Sequence, residues 1–191
     1  VKLNLGCGDD LRHGYLNVDF RKTHPDVREV DLSKFPWPFE SESAEEILML
    51  DFLEHFPYAS TPFILLECFR VLRPEGTVVI QVPDARVLMR ALLSEGEYPC
   101  NRCGFEMDDY RSVAGKCGQC GLSVAEISEA AMMRLYGGQD YPGNFHQTCF
   151  TGASLARKAK DCGLVFLDTE EDEHQWKNWN FKMRFKKGDV W

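Results

Sequence analysis

The chain reads as an α/β protein with a largely parallel sheet, because short apolar strands alternate with amphipathic helices. Ile47-Leu48-Met49-Leu50-Asp51 and Thr77-Val78-Val79-Ile80-Gln81-Val82 are nearly continuous apolar runs. Central parallel strands need this pattern, since helices cover both of their faces. Between them, Ile64, Leu65, Cys68, Phe69 and Leu72 recur at helical spacing and form one apolar face.

The elements follow in order. Leu3-Asn4-Leu5 is a first strand that runs into the turn Gly6-Cys7-Gly8, and Leu16-Asn17-Val18-Asp19 is a second strand ending in a carboxylate. Val30-Asp31-Leu32 reads as a short third strand. Thr61 suits the N-cap of the next helix and Pro62 its first position. Arg73-Pro74-Glu75-Gly76 ends that helix and turns into the strand at 77–82. A further helix starts near Asp84. Ser123-Val124-Ala125-Glu126 is a capping box, with Leu122 and Ile127 spaced as a hydrophobic staple. The helix it opens runs to Tyr136, stops at Gly137-Gly138, and buries Val124, Ile127, Ala131 and Leu135. Residues 137–146 form a polar and aromatic loop able to gate a pocket. Thr151 caps a short helix with Leu155, Ala159 and Cys162 inward and Gly163 as its stop. Residues 164–167 are strand-like, and an acidic turn follows over 168–173. Trp179, Phe181, Met183 and Phe185 then alternate with Asn180, Lys182, Arg184 and Lys186, the pattern of a half-buried antiparallel strand.

The first turn carries the chemistry. After the first strand of an open α/β sheet, a Gly-x-Gly turn lets the backbone approach a nucleotide-like ligand. A carboxylate at the tip of the second strand can accept both ribose hydroxyls. The third glycine of the dinucleotide fingerprint is replaced by Leu11, and Asp9-Asp10 would repel a diphosphate. S-adenosylmethionine (AdoMet) has no phosphate and a positive sulfonium, so an acidic rim suits it better. Only ten residues separate Gly8 from Asp19, against roughly 20 in a full strand–helix–strand unit. The first crossover is therefore expected to be very short or a loop through Gly14. A tight turn without a ligand is the alternative reading of this segment.

Four of the eight cysteines share one pattern. Cys100-Asn101-Arg102-Cys103-Gly104 and Cys117-Gly118-Gln119-Cys120-Gly121 are two C-x2-C knuckles, each followed by glycine. This spacing suits a closed tetrahedral zinc site, structural rather than catalytic, since four thiolates leave no open position. Two disulfides, iron binding and a redox pair are the rival readings, and a cytoplasmic setting disfavours the disulfides. The expected organisation is a main domain over 1–96 and 123–191 and an inserted four-cysteine zinc ribbon over 97–122. The ribbon follows a strand end, where loops surround the ligand crevice. A substrate lid, a docking module and a stability staple are all open roles for it. Cys7, Cys68, Cys149 and Cys162 sit in apolar contexts and are expected to pack in the core.

The chain resembles the class I AdoMet-dependent methyltransferases, in particular a compact type 11-like group. The matching residues are 3–8, Gly14-Tyr15-Leu16-Asn17-Val18-Asp19, Asp31-Leu32, Trp37-Pro38-Phe39 and Leu53-Glu54-His55. They continue with 66–76 and Val82-Pro83-Asp84. The resemblance implies a Rossmann-like seven-stranded methyltransferase sheet with an antiparallel last strand. It also implies a cofactor set of Asn4, Gly6, Cys7, Gly8, Asp19, Asp31, Leu32, Leu50 and Asp51. Gly6 and Gly8 would line the cofactor, Asp19 hold the ribose, Asp31 and Leu32 flank the adenine, and Leu50 and Asp51 close the methionine end.

Methyl transfer from a sulfonium needs alignment and exclusion of water more than acid–base help. Where a base is used, His55 and His146 are the candidates, with Asp51 and Asp84 nearby in sequence pattern. The Asn/Asp-Pro-Pro-Tyr/Phe signature of exocyclic-amine DNA methyltransferases is absent after the fourth strand. The formal charge of −8 disfavours bulk nucleic acid as a partner. No apolar run approaches the ~20 residues that span a bilayer. The first residues read as a strand and not as a leader, so a cytoplasmic protein is expected. The acceptor is left as a small molecule, a sugar-containing compound or a protein side chain. A non-catalytic module that docks a partner through the ribbon, and an RNA-modifying enzyme, stand as alternatives. Oligomeric state is not readable.

Overall fold

A seven-stranded sheet in the order β3-β2-β1-β4-β5-β7-β6 organises the molecule. The computed structural model describes residues 1–93, 123–170 and 179–189. The strands are β1 (Lys2–Leu5), β2 (Leu16–Asp19), β3 (Val27–Glu29), β4 (Ala44–Leu50), β5 (Leu72–Pro83), β6 (Leu164–Glu170) and β7 (Asn180–Lys187). The first five pair in parallel, and β7 runs antiparallel between β5 and β6. The helices are α1 (Thr61–Val71), α2 (Ala85–Leu93), α3 (Val124–Tyr136) and α4 (Gly152–Asp161).

The apolar runs lie where both faces are covered. Ile47, Met49, Val78, Ile80 and Val82 are all fully buried. Trp179, just before β7, and Met183 and Phe185 on it are buried, while Lys182 and Arg184 reach Glu170 on β6. Alternation along this strand thus serves two layers, an apolar one against the core and a charged one tying the last two strands. Thr151 and Ser154 form the cap of α4, and Ser123 and Glu126 form the capping box of α3. No helix stands between β1 and β2, as the ten-residue spacing requires.

Several expectations are corrected. The third strand is Val27–Glu29, three residues earlier than 30–32. Val27 is the buried residue there and pairs with Asn17. At Val30 the chain gives its amide to the Asp19 carbonyl and leaves the sheet, which frees Asp31 and Leu32 to turn over the strand tips. Thr61 is the first helical residue and not a cap: its hydroxyl is buried without a partner, and a short 3-10 turn at Tyr58–Ser60 leads into α1. Residues 73–76 belong to β5, whose Leu72 already pairs with Ala44 across an irregularity in register. The acidic run begins inside β6. Cys149 is exposed, because the extended segment before α4 points the adjacent Phe150 into the core instead. Cys7, Cys68 and Cys162 are buried as expected. The ribbon over 97–122, the side chains of Val124 and Ile127, and positions 171–173 lie outside the described residues.

Gly6 is fixed by two constraints at once. Its φ is +68°, and a Cβ would stand 2.2 Å from the Phe52 ring. Gly6→Ala is expected to lower unfolding free energy by about 2–4 kcal/mol, from left-handed backbone strain plus overpacking. Denaturant titration checks this, and an unchanged midpoint would contradict it.

Candidate active site

The parallel strands end along one edge, and a cavity of about 530 Å³ opens there. That is the ordinary size and place for a small-molecule site in an open α/β sheet. One end is built from the β1 turn, the tip of β2 and the segment after β3: Gly6, Gly8, Asp19, Phe20, Asp31 and Leu32. The other end is bounded by Asp51, Phe52, His55, Phe56, Arg134 and His146. The loop after α3 contributes Tyr141, Gly143 and Asn144.

Local geometry explains these placements. The Gly6 and Cys7 amides both donate to the Val18 carbonyl, which pins the turn to β2. The Gly8 amide donates to Asp19 Oδ2 at 2.9 Å, and the Arg21 amide donates to Oδ1 at 2.9 Å. A Cβ on Gly8 would meet no protein atom within 4 Å, so the turn is open toward the cavity. Ser33 and Lys34 hold the Asp31 carboxyl below the usual carboxylate range, with the Ser33 hydroxyl bond the larger effect.

The loop over 137–146 is folded back on itself. Gln139 N donates to the Asn144 carbonyl and His146 N to the Tyr136 carbonyl. The Arg21 guanidinium lies 3.6 Å from the Tyr141 ring centre, and Gly143 abuts the Phe20 ring so closely that a Cβ would clash at 2.8 Å. The loop is thereby anchored on the residues that follow Asp19.

At the far end, Asp51 closes β4 with φ +51°, a left-handed conformation that aspartate tolerates. Its Oδ1 accepts from Arg134 Nη2 at 2.9 Å and from Asn180 Nδ2 at 3.1 Å, and the same Arg134 nitrogen donates to Asn180 Oδ1 at 2.7 Å. Glu54, His55 and His146 stand beside this cluster. The two imidazole rings meet edge to face with centres 4.8 Å apart. Burial pushes both imidazoles down, His146 to about 4, with the neighbouring His55 the next largest cause for His146. Burial, and then the Asp51 charge, push the Glu54 carboxyl well above the usual carboxylate range.

Of the residues read from sequence, the cavity brings together Gly6, Gly8, Asp19, Asp31, Leu32, Asp51, His55 and His146. Asn4, Cys7 and Leu50 do not line it. Asn4 is buried and donates to the Asp10 carbonyl and to Asn17 Oδ1, which shapes the turn from beneath. The Cys7 thiol is buried and raised to about 11, chiefly by burial, and so is unreactive. Asp84 caps the start of α2 through the Arg86 amide. The metal ligands expected at Cys100, Cys103, Cys117 and Cys120 lie outside the described residues. Sequence reasoning missed Arg134, Glu54, Asn180 and the Phe20 and Phe52 rings. A Glu-His pair just after a buried strand was the one available signal.

Comparison with known proteins agrees with this architecture. Residues 8–80 match a family described as a methyltransferase domain. No curated protein matches significantly. Among solved structures, an S-adenosylmethionine-dependent methyltransferase of Methanosarcina mazei shares 16% identity over 99% of this chain and 92% of its own, with a TM-score of 0.58. The 1,6-didemethyltoxoflavin-N1-methyltransferase of Burkholderia thailandensis was solved with bound 1,6-didemethyltoxoflavin and S-adenosylhomocysteine. It shares 16% identity over 98% of this chain and 71% of its own, with a TM-score of 0.56. A possible histamine N-methyltransferase of Thermotoga maritima shares 12% identity over 97% and 81%, with a TM-score of 0.56. The fold of this chain is therefore the methyltransferase α/β fold. No helix among the described residues is long and apolar enough to cross a membrane.

Glu54 gives a test of the electrostatics. Its folded pKa is raised, so its contribution to stability is present at low pH and lost as pH rises toward that pKa. Glu54→Gln, without added divalent metal, is expected to raise the thermal midpoint more at pH 8 than at pH 5. The imidazoles, with lowered pKa, act in the opposite direction in both proteins, so the variant is compared with the parent at each pH. An equal shift at both pH values would contradict the reading.

Proposed function

We propose that this protein is an AdoMet-dependent methyltransferase. The observation that carries the reading is the pairing of the open Gly8 turn with the Asp19 carboxylate at one end of a cavity whose other end holds two neutral imidazoles. The methyltransferase-domain match over residues 8–80 and the fold support it.

The residues present fit the cofactor. Gly6 and Gly8 offer a backbone cradle with no side chain in the way. Asp19 keeps carboxylate lone pairs for the ribose hydroxyls while its amide bonds hold it in place. Leu32 supplies an apolar face and Asp31 an ionised acceptor for the adenine side. Asp51, held by Arg134 and Asn180, faces the sulfonium end. AdoMet supplies an activated methyl group when bound. The chain aligns the acceptor with that group, excludes water beneath the 137–146 loop, and offers unprotonated imidazole nitrogens at His55 and His146 to hold or receive an acceptor proton. The acceptor is a small molecule, a sugar-containing compound or a protein side chain. We further propose that Cys100, Cys103, Cys117 and Cys120 hold one structural zinc ion.

Calorimetric titration is expected to detect AdoMet binding and none of NAD. Asp19→Ala should weaken it at least about tenfold, since charge-assisted hydrogen bonds contribute about 1.5–3 kcal/mol each. Absence of AdoMet binding by the folded protein would overturn the reading. About one equivalent of the zinc carried by the purified protein should be lost in Cys100→Ser and in Cys117→Ser, because a structural site needs its four ligands. Zinc content unchanged in both variants would refute the assignment.

A further inference from the structure

Beside the strand tips, Glu54, His55 and His146 each place one ligand atom within 4.8 Å of the others. Glu54 is 1% exposed, and both carboxylate oxygens are buried with no hydrogen-bond partner. Leaving such a group unmatched is costly, and a fold retains it only where something answers it. His146 Nε2 lies 4.0 Å from Glu54 Oε1, too far for a hydrogen bond.

The imidazoles are oriented by their other nitrogens. His146 Nδ1 lies 2.8 Å from the Arg134 carbonyl, and His55 Nδ1 lies 3.3 Å from the Phe145 carbonyl. A carbonyl can only accept, so His146 Nδ1 carries the proton and its Nε2 presents a lone pair. His55, which meets both the Phe145 and the Asp51 carbonyls, presents an Nε2 lone pair in the tautomer that donates to Phe145. Metal-binding histidines are held in this way, with the second nitrogen donating to a backbone carbonyl. Asp51 is not available as a ligand in the same sense, because Arg134 and Asn180 occupy its Oδ1.

We propose that Glu54, His55 and His146 form a two-histidine, one-carboxylate site for a divalent transition-metal ion, open toward the cavity. Ligand atoms lie about 2.0–2.2 Å from such an ion, so pairs of them can stand up to about 4 Å apart, and small side-chain rotations draw in the widest pair. Two imidazoles and one carboxylate favour zinc, cobalt, nickel or iron over magnesium or calcium. The dicationic ion answers the buried Glu54 carboxylate, while the Arg134 charge is matched by Asp51. Three protein ligands leave positions open on the cavity side, where His55 and His146 form part of the wall.

On the methyltransferase reading, this site would take an oxygen of the acceptor, which makes an alcohol or phenol the favoured class. The ion would lower the hydroxyl pKa. With both Nε2 lone pairs on the metal, the imidazoles would act as ligands and not as bases, and the proton would pass to water. A new O–C bond forms as the C–S bond breaks, and sulfur takes the electron pair to become a neutral thioether. That role rests on the proposed function, whereas the metal site does not.

The test is a titration with Co2+ alone of protein brought by mild chelation to one zinc per chain, so that only the four-cysteine site is filled, followed by its visible absorption. The expected result is about one added Co2+ per chain, with bands of nitrogen and oxygen ligation and no thiolate charge-transfer band. Glu54→Gln and His146→Gln should each weaken binding by at least about 100-fold, since loss of a partner that only orients a ligand already costs about 10–100-fold and here a ligand itself is lost. Glu54→Gln keeps the shape of the side chain, and circular dichroism checks the fold of both variants. Co2+ should raise the thermal midpoint of the parent and leave that of Glu54→Gln unchanged. No Co2+ uptake by the parent, a thiolate spectrum, or equal affinity in parent and variants would overturn the proposal. AdoMet titration of the same samples separates the two readings: AdoMet bound without Co2+ removes the metal site alone, and Co2+ bound without AdoMet removes the enzyme reading alone.

Discussion

The site depends on one guanidinium. Arg134 reaches from α3 to the end of β4 and to β7, meeting Asp51 at 2.9 Å and Asn180 at 2.7 Å. It is partly buried, and its partners sit on strands that are not neighbours in the sheet. A charge pair in that setting stabilises only when its hydrogen bonds are well made, and removing one partner leaves the other uncompensated. The Arg134 carbonyl also receives His146 Nδ1. One residue thus fixes α3, the tip of the central strand and the orientation of an imidazole in the cavity wall.

The same economy governs the opposite end. The first crossover has no helix, so the turn after β1 cannot rest on a helix N-terminus. It is held instead by paired amides on the Val18 carbonyl, by the Gly8–Asp19 bond and by Asn4 beneath. Trp37 closes this half of the core: its indole donates to the Leu32 carbonyl, and Glu67 and Arg70 of α1 bind the chain around it. Asp31 and Leu32 are therefore presented by a loop that a buried indole anchors.

How much of this was legible follows from the range of the interactions. Strand alternation, capping boxes and the Gly-x-Gly turn are local, and they appear in the sequence because a few neighbouring residues satisfy one another. Asp19 was legible because a carboxylate at a second strand tip has one common use. The third strand was misplaced because a three-residue strand offers no periodicity, and Val30 and Val27 are equally apolar. Arg134 was not legible, and Glu54 was legible only as part of the Leu53-Glu54-His55 match, without a role. Arg134 meets Asp51 across 83 residues, and His55 meets Phe145 across 90. Asn4, Cys7 and Leu50 adjoin the glycine turn and strand tip in sequence, yet their side chains do not line the cavity.

Co-crystallisation with S-adenosylhomocysteine tests the central claim most directly. The ribose hydroxyls are expected on the Asp19 carboxylate, the adenine against Asp31 and Leu32, and the sulfur turned toward Asp51, His55 and His146. A ligand bound elsewhere, or a ribose that does not touch Asp19, would contradict the account.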